Sequence, residues 1–140
     1  MTVSQKFDCE TAVDIKERIE SVLKAEADAI NSIEVTEDFI AAVEIMYRCS
    51  GKIITTGIGK AGHIANKFAA TLCSTAAQAQ FLHPAEAAHG DLGAVSNGDI
   101  LIAFSTSGKS REVIEILELS RRLGVTTVIG VTSHPDSELR

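Results

Sequence analysis

Four hydroxyls fall within six positions in Ser105-Thr106-Ser107-Gly108-Lys109-Ser110, between an apolar run and a segment with helical spacing. One hydroxyl suffices to cap a helix, so the others need a second use. With Gly108 allowing close approach and helix amides pointing inward, the loop suits a monophosphate. The stretch misses the G-x-x-x-x-G-K-[ST] phosphate loop only at Ala103. An NTPase would also want an acid at the end of another strand to place magnesium, and Val128–Thr132 has none.

Gly57-Ile58-Gly59-Lys60-Ala61-Gly62 satisfies G-x-G-x-x-G between a β-rich run and a helical one. A dinucleotide site needs an acid about 20 residues on to hold the ribose. Phe81-Leu82-His83 stands there instead, and the nearest acid, Glu86, lies past a proline. A tight glycine turn carrying Lys60 remains, useful where backbone must approach an anion.

His83-Pro84-Ala85-Glu86-Ala87-Ala88-His89-Gly90-Asp91-Leu92-Gly93 holds two imidazoles and two carboxylates. It reads either as a polar loop that moves protons or binds sugar hydroxyls, or as a turn with a short surface helix. Its spacing matches no common zinc pattern. Together the three segments fit a phosphorylated polyol, a cationic lysine and several acid–base groups, with no cofactor. Aldose–ketose isomerisation needs that inventory: proton transfers between adjacent carbons and support for an enediolate.

The elements that must position these groups follow from periodicity. In the first 50 residues Ala12, Ile15, Ile19, Val22 and Val13, Leu23, Ile30, Ile33 recur at helical steps. A break near Asn31 to Val35 precedes Thr36-Glu37-Asp38, a helix start, and Gly51 ends the pair. From Lys52 the rhythm changes. Strands are predicted at Lys52–Thr56, Gln80–His83, Asp99–Ser105 and Thr126–Thr132, with helices over His63–Thr75 and Ser110–Leu123. This alternation predicts an α/β fold with a parallel sheet, whose loops at the strands' carboxyl ends carry the ligand. No linker interrupts the 140 residues, so one domain is expected: helices over about 10–50 and a βαβ core over about 52–140.

Composition narrows the partners. No apolar run exceeds five residues, the length of Ile100 to Phe104, against roughly 20 for a bilayer span. The amino terminus lacks a secretion signal's apolar core. A net charge of −6, no Trp and one Tyr argue against a nucleic-acid surface. Cys9, Cys49 and Cys73 are too sparse for a disulfide framework or structural zinc, and they read as buried thiols in a reducing cytoplasm.

The motifs Gly57-x-Gly59-Lys60-x-Gly62-His63-Ile64, Phe81-x-His83-Pro84-x-Glu86-Ala87-x-His89-Gly90-Asp91-Leu92-Gly93 and Ser105-x-Ser107-Gly108-x-Ser110-x-Glu112 resemble the sugar-isomerase (SIS) family. Within it, the second motif is most similar to the D-arabinose-5-phosphate isomerases. The resemblance implies a three-layer, Rossmann-like or flavodoxin-like sandwich with an amino-terminal helical pair. It implies interconversion of D-ribulose 5-phosphate and D-arabinose 5-phosphate through an enediol, for Kdo and lipopolysaccharide precursor synthesis, without a required cofactor. Lys60, Glu112 and His89 would be catalytic. Gly59, Ser105, Thr106, Ser107, Ser110, His83 and His89 would bind substrate, and His83 also matches a position for an inhibitory or adventitious divalent metal. A homotetramer is implied as well.

Four departures stand out. Ala61 replaces a common serine, Lys109 a common glutamate, and Ala76-Ala77 a Gly-Thr pair. Relatives also continue past the position of Arg140 through groups used in catalysis, so truncation at the carboxyl end is expected. The competing readings are a non-catalytic sugar-phosphate-binding module and an isomerase for another ketose phosphate.

Overall fold

The computed structural model describes residues 14–134 and 136–139. Ala12, Val13 and Cys9 lie outside the described residues. Helix α1 (Ile15–Asn31) starts at Asp14, whose Oδ1 accepts hydrogen bonds from the Lys16 and Glu17 amides at 2.9 and 3.4 Å. It belongs to a compact unit that ends at Thr36, and Glu37–Arg140 form a second. Within the second unit, helix α2 (Glu37–Tyr47) opens with two acids in its first turn, as the sequence predicts.

Four strands follow: β1 (Ile53–Gly57), β2 (Ala79–Phe81), β3 (Ile100–Phe104) and β4 (Thr127–Val131). They form one parallel sheet in the order β2-β1-β3-β4. The β-rich runs predicted this sheet, while its order comes from the structure. Helix α3 (Gly59–Ser74) follows β1, α4 (Pro84–Ala88) and a 3-10 turn (Asp91–Ala94) follow β2, and α5 (Arg111–Arg122) follows β3.

Successive side chains along β1 and β3 point to opposite faces, and both faces are covered. Ile54, Leu101 and Ala103 pack with Leu82 and Ala87 and with Val113, Ile116 and Leu117 of α5. Ile53, Ile100 and Ile102 face Phe68 and Leu72 of α3 and Met46 of α2. The result is the expected layered α/β arrangement.

Two boundaries differ from the periodicity. Strand β2 stops at Phe81, because Pro84 sits in the first turn of α4 and His83 already caps it. Helix α3 begins at Gly59, four residues before the predicted start. Gly59 turns the chain with φ +60°, and Gly62 presses so close to β1 that an added Cβ would lie 2.7 Å from the Gly57 carbonyl oxygen. The apolar pattern is sparse there, so the helix starts unseen. The thiols differ too: Cys49 is half-buried, and Cys73 is exposed at the end of α3.

Candidate active site

In a parallel sheet every strand's carboxyl end lies on one edge. The chain leaves β1 toward β2 on one side and β3 on the other, so the order reverses between β1 and β3. That reversal opens the crevice where such sheets hold ligands. Gly57 pairs with Phe104 at the crevice, so the glycine turn and the serine loop emerge side by side. The adjacency joins two segments about 50 residues apart.

The serine loop is held by its own hydroxyls. Ser105 is buried, its Oγ accepts from the Gly108 amide at 3.1 Å, and it lies 2.9 Å from Ser110 Oγ. Ser107 Oγ accepts from the Lys109 amide at 3.3 Å. Gly108 sits at φ +65°, where a side chain would be strained. Ser110 occupies the N-cap position of α5 but makes no side-chain cap bond, because its hydroxyl is turned to Ser105. The amino end of this 12-residue helix therefore has no capping side chain. Thr106 and Ser107 are exposed beside it.

A second group lies beyond β1. A cavity of about 360 Å³ is lined by Gly59, Gly62, His63, Asn66, Phe81 and His83. His83 is half-buried, its ring edge-on to Phe81 with centroids 6.3 Å apart. The Ala85 amide donates to His83 Nδ1 at 3.3 Å, so in the neutral ring the proton sits on Nε2. A larger cleft of about 540 Å³ lies at the opposite edge, around Met46, Gly51, Leu72 and Ala77. It holds none of the groups singled out for chemistry.

Of the residues expected to act, Gly59 and His83 share the cavity, and Ser105, Thr106, Ser107 and Ser110 form the loop across β1. Lys60 lies in the first turn of α3, Glu112 in that of α5, and His89 closes α4. All three are exposed, and no hydrogen bond or ion pair joins them to one another. The His83–Gly93 segment forms a short helix and a 3-10 turn, with His83 as the cap.

Among the described residues, no three His, Cys, Asp or Glu groups cluster as a metal site. His83 stands without companion ligands, and metal coordination through Nε2 would move its proton to Nδ1, against the Ala85 amide. The residues do not fit a resident metal, and no step is derived through one.

The sequence reading passed over four residues. His63 and Asn66 are three apart on α3, a helical spacing that puts both on the cavity. Thr132 and His134 follow β4 and bond to the serine loop. Any polar residue just after the last strand of a parallel sheet reaches the same edge, which is the signal that could have found them.

The structure is that of a parallel α/β protein with a serine-rich loop at the point where its strand order reverses. Residues 46–140 match the SIS domain, and the chain belongs to that family. It is 41% identical over 116 residues to the arabinose 5-phosphate isomerase KdsD of Pseudomonas aeruginosa, covering 81% of this chain and 35% of that protein. Against KdsD of Yersinia pestis the identity is 38% over 135 residues, covering 95% of this chain and 41% of the relative. The chain thus spans about two fifths of these curated relatives or less. A solved structure from Bacteroides fragilis superposes with TM-score 0.83 at 43% identity, covering 89% of this chain and 67% of that one. An E. coli protein in complex with arabinose 5-phosphate gives TM-score 0.82 at 32% identity, covering 91% and 69%.

Proposed function

We propose that the chain is the sugar-phosphate site of an aldose–ketose isomerase that interconverts D-ribulose 5-phosphate and D-arabinose 5-phosphate. The observation that carries this is the uncapped amino end of α5 beside the exposed Thr106 and Ser107, at the sheet's switch point. Helix amides and hydroxyls there are complementary to a phosphoryl group. The likeness to KdsD and to the E. coli protein bound to arabinose 5-phosphate supports the choice of sugar.

With the phosphoryl group in the serine loop, the sugar extends over β1 toward Gly59 and His83. Glu112 takes the proton from the carbon next to the carbonyl and returns it to the neighbouring carbon. Lys60 stabilises the enediolate between these steps, and His89 exchanges protons with the sugar oxygens. The sequence of transfers is redox-neutral overall and draws on no cofactor. A cytoplasmic homotetramer serving lipopolysaccharide precursor synthesis is part of the same reading. Among the described residues, no helix is long and apolar enough to cross a membrane.

The exposed and mutually unlinked Lys60, His89 and Glu112 favour one alternative, a module that binds sugar phosphate without turnover. Proton NMR with D-arabinose 5-phosphate in D2O separates the two. Ketose formation with deuterium uptake is expected, falling at least about 100-fold in Lys60→Gln and Glu112→Gln. Binding without deuterium uptake would leave the recognition module.

A further inference from the structure

The segment after β4 is fastened to the serine loop at one atom. The Thr106 carbonyl oxygen receives the Ser133 amide at 3.1 Å, Thr132 Oγ1 at 3.2 Å and His134 Nδ1 at 3.0 Å. The His134 amide in turn donates to Thr132 Oγ1 at 3.1 Å. Ser137 lies against Gly108, where an added Cβ would meet its Cβ at 2.2 Å. The segment is therefore a rim on the loop.

A carbonyl oxygen only accepts, so His134 Nδ1 carries a proton and, in the neutral ring, Nε2 carries the lone pair. His83 has the opposite assignment, because the Ala85 amide donates to its Nδ1. Backbone groups thus fix one ring as a donor at Nε2 and the other as an acceptor. His134 is exposed, its backbone held by Thr132 and its ring by the Thr106 carbonyl through Nδ1, and Nε2 makes no hydrogen bond among the described residues.

We infer that His134 is a specificity residue whose Nε2 accepts a hydrogen bond from a substrate hydroxyl close to the phosphorylated carbon. This rests on the serine loop being the phosphate seat. A neutral Nε2 lone pair complements a hydroxyl, whereas a phosphate dianion has no proton to offer it. A hydroxyl one carbon from a phosphoryl group held beside Thr106 passes the rim where His134 is anchored. The residue thereby selects polyol phosphates over phosphate esters without hydroxyls.

The test compares ethyl phosphate with D-arabinose 5-phosphate by NMR titration of wild-type protein and His134→Asn. The asparagine amide can donate to Thr106 in place of Nδ1, which keeps the rim, but nothing replaces Nε2. Ethyl phosphate is expected to bind both proteins equally. D-arabinose 5-phosphate is expected to bind His134→Asn about threefold to tenfold more weakly, the loss of one neutral hydrogen bond. In the wild type, nitrogen-15 shifts should report Nδ1 protonated, with Nε2 moving on adding the sugar phosphate and not ethyl phosphate. Equal affinity of both proteins for D-arabinose 5-phosphate, or an unmoved Nε2, would overturn the inference while leaving the phosphate seat intact. A wild type that binds neither compound would overturn the phosphate seat and the inference with it. Should His134→Asn melt far below the wild type, the Nε2 shift alone decides.

Discussion

The two edges of the sheet use polar groups in opposite ways. At the amino edge, Asp99 is 4% exposed, and its oxygens accept from the Lys52 amide at 2.7 Å and the Ser96 amide at 2.8 Å. The Lys52 ammonium lies 3.6 Å from the same carboxylate and also donates to the Ala94 carbonyl. Gly51 abuts the Gly98 carbonyl so tightly that no side chain fits. Each of these groups has a partner within the protein, so the edge fastens β1 to β3. At the carboxyl edge, Ser105 is likewise engaged, but the amino end of α5 has no side-chain cap, and Lys60, Thr106 and Ser107 are exposed. Buried polar groups must be partnered from within, whereas a ligand site needs groups whose partner arrives later. That contrast separates the fastened edge from the open one more sharply than cavity size, since the larger cleft lies at the fastened edge.

The strongest way to break the comparison is Asp99→Ala. It leaves two backbone amides without their acceptor and a partly buried ammonium without its counter-charge, and should cost about 3 kcal/mol in urea unfolding. Phosphate affinity of the folded protein should not change. A stable variant would show that the amino edge is not the fastening it looks like. Gly108→Ala comes next. Its positive φ and the neighbouring Ser137 Cβ together should cost about 2–3 kcal/mol, and phosphate binding should weaken along with stability.

Ser105→Ala sits between the two edges in kind. It removes one of the two acceptors of the Gly108 amide, leaving the Ser105 carbonyl, and the partner of Ser110, so a stability loss of about 1 kcal/mol is expected. Ser110, once released, would be free to cap α5, and phosphate affinity should fall in isothermal titration. Thr106→Val should have the smallest effect on folding, within about 0.5 kcal/mol, because the exposed hydroxyl is not needed for the fold. Phosphate affinity should still drop a few-fold. A Thr106→Val protein that binds phosphate like the wild type would remove that hydroxyl from the site and blunt the contrast.

How much of this could be read in advance differs from residue to residue. The short apolar runs Ile53–Ile54 and Ile100–Phe104, rich in β-branched residues and bounded by glycine-containing turns, are enough to place two strands, since such a run is a local signal. The spacing of Val113, Ile116 and Leu117 places α5 for the same reason. The start of α3 at Gly59 was hidden because glycines, not apolar residues, let it press against β1. The surplus hydroxyls of the serine loop were visible, but not that Ser110 would turn away from its helix toward Ser105. The roles of His83 as a cap and His134 as a rim depend on single hydrogen bonds that spacing does not specify.

Residue types and their spacing suffice for the alternation of strands and helices, the polar groups that the three loops carry and the family to which the chain belongs. These depend on residue type and short-range period, which the chain carries locally. That β1 lies between β2 and β3, that the glycine turn meets the serine loop, and that the segment after β4 rims it emerge from the folded chain alone. The folded chain also assigns the ring protons of His83 and His134. Those facts arise from contacts across 26 to 28 residues and more, fixed by burying both sheet faces at once, and no local pattern encodes that closure.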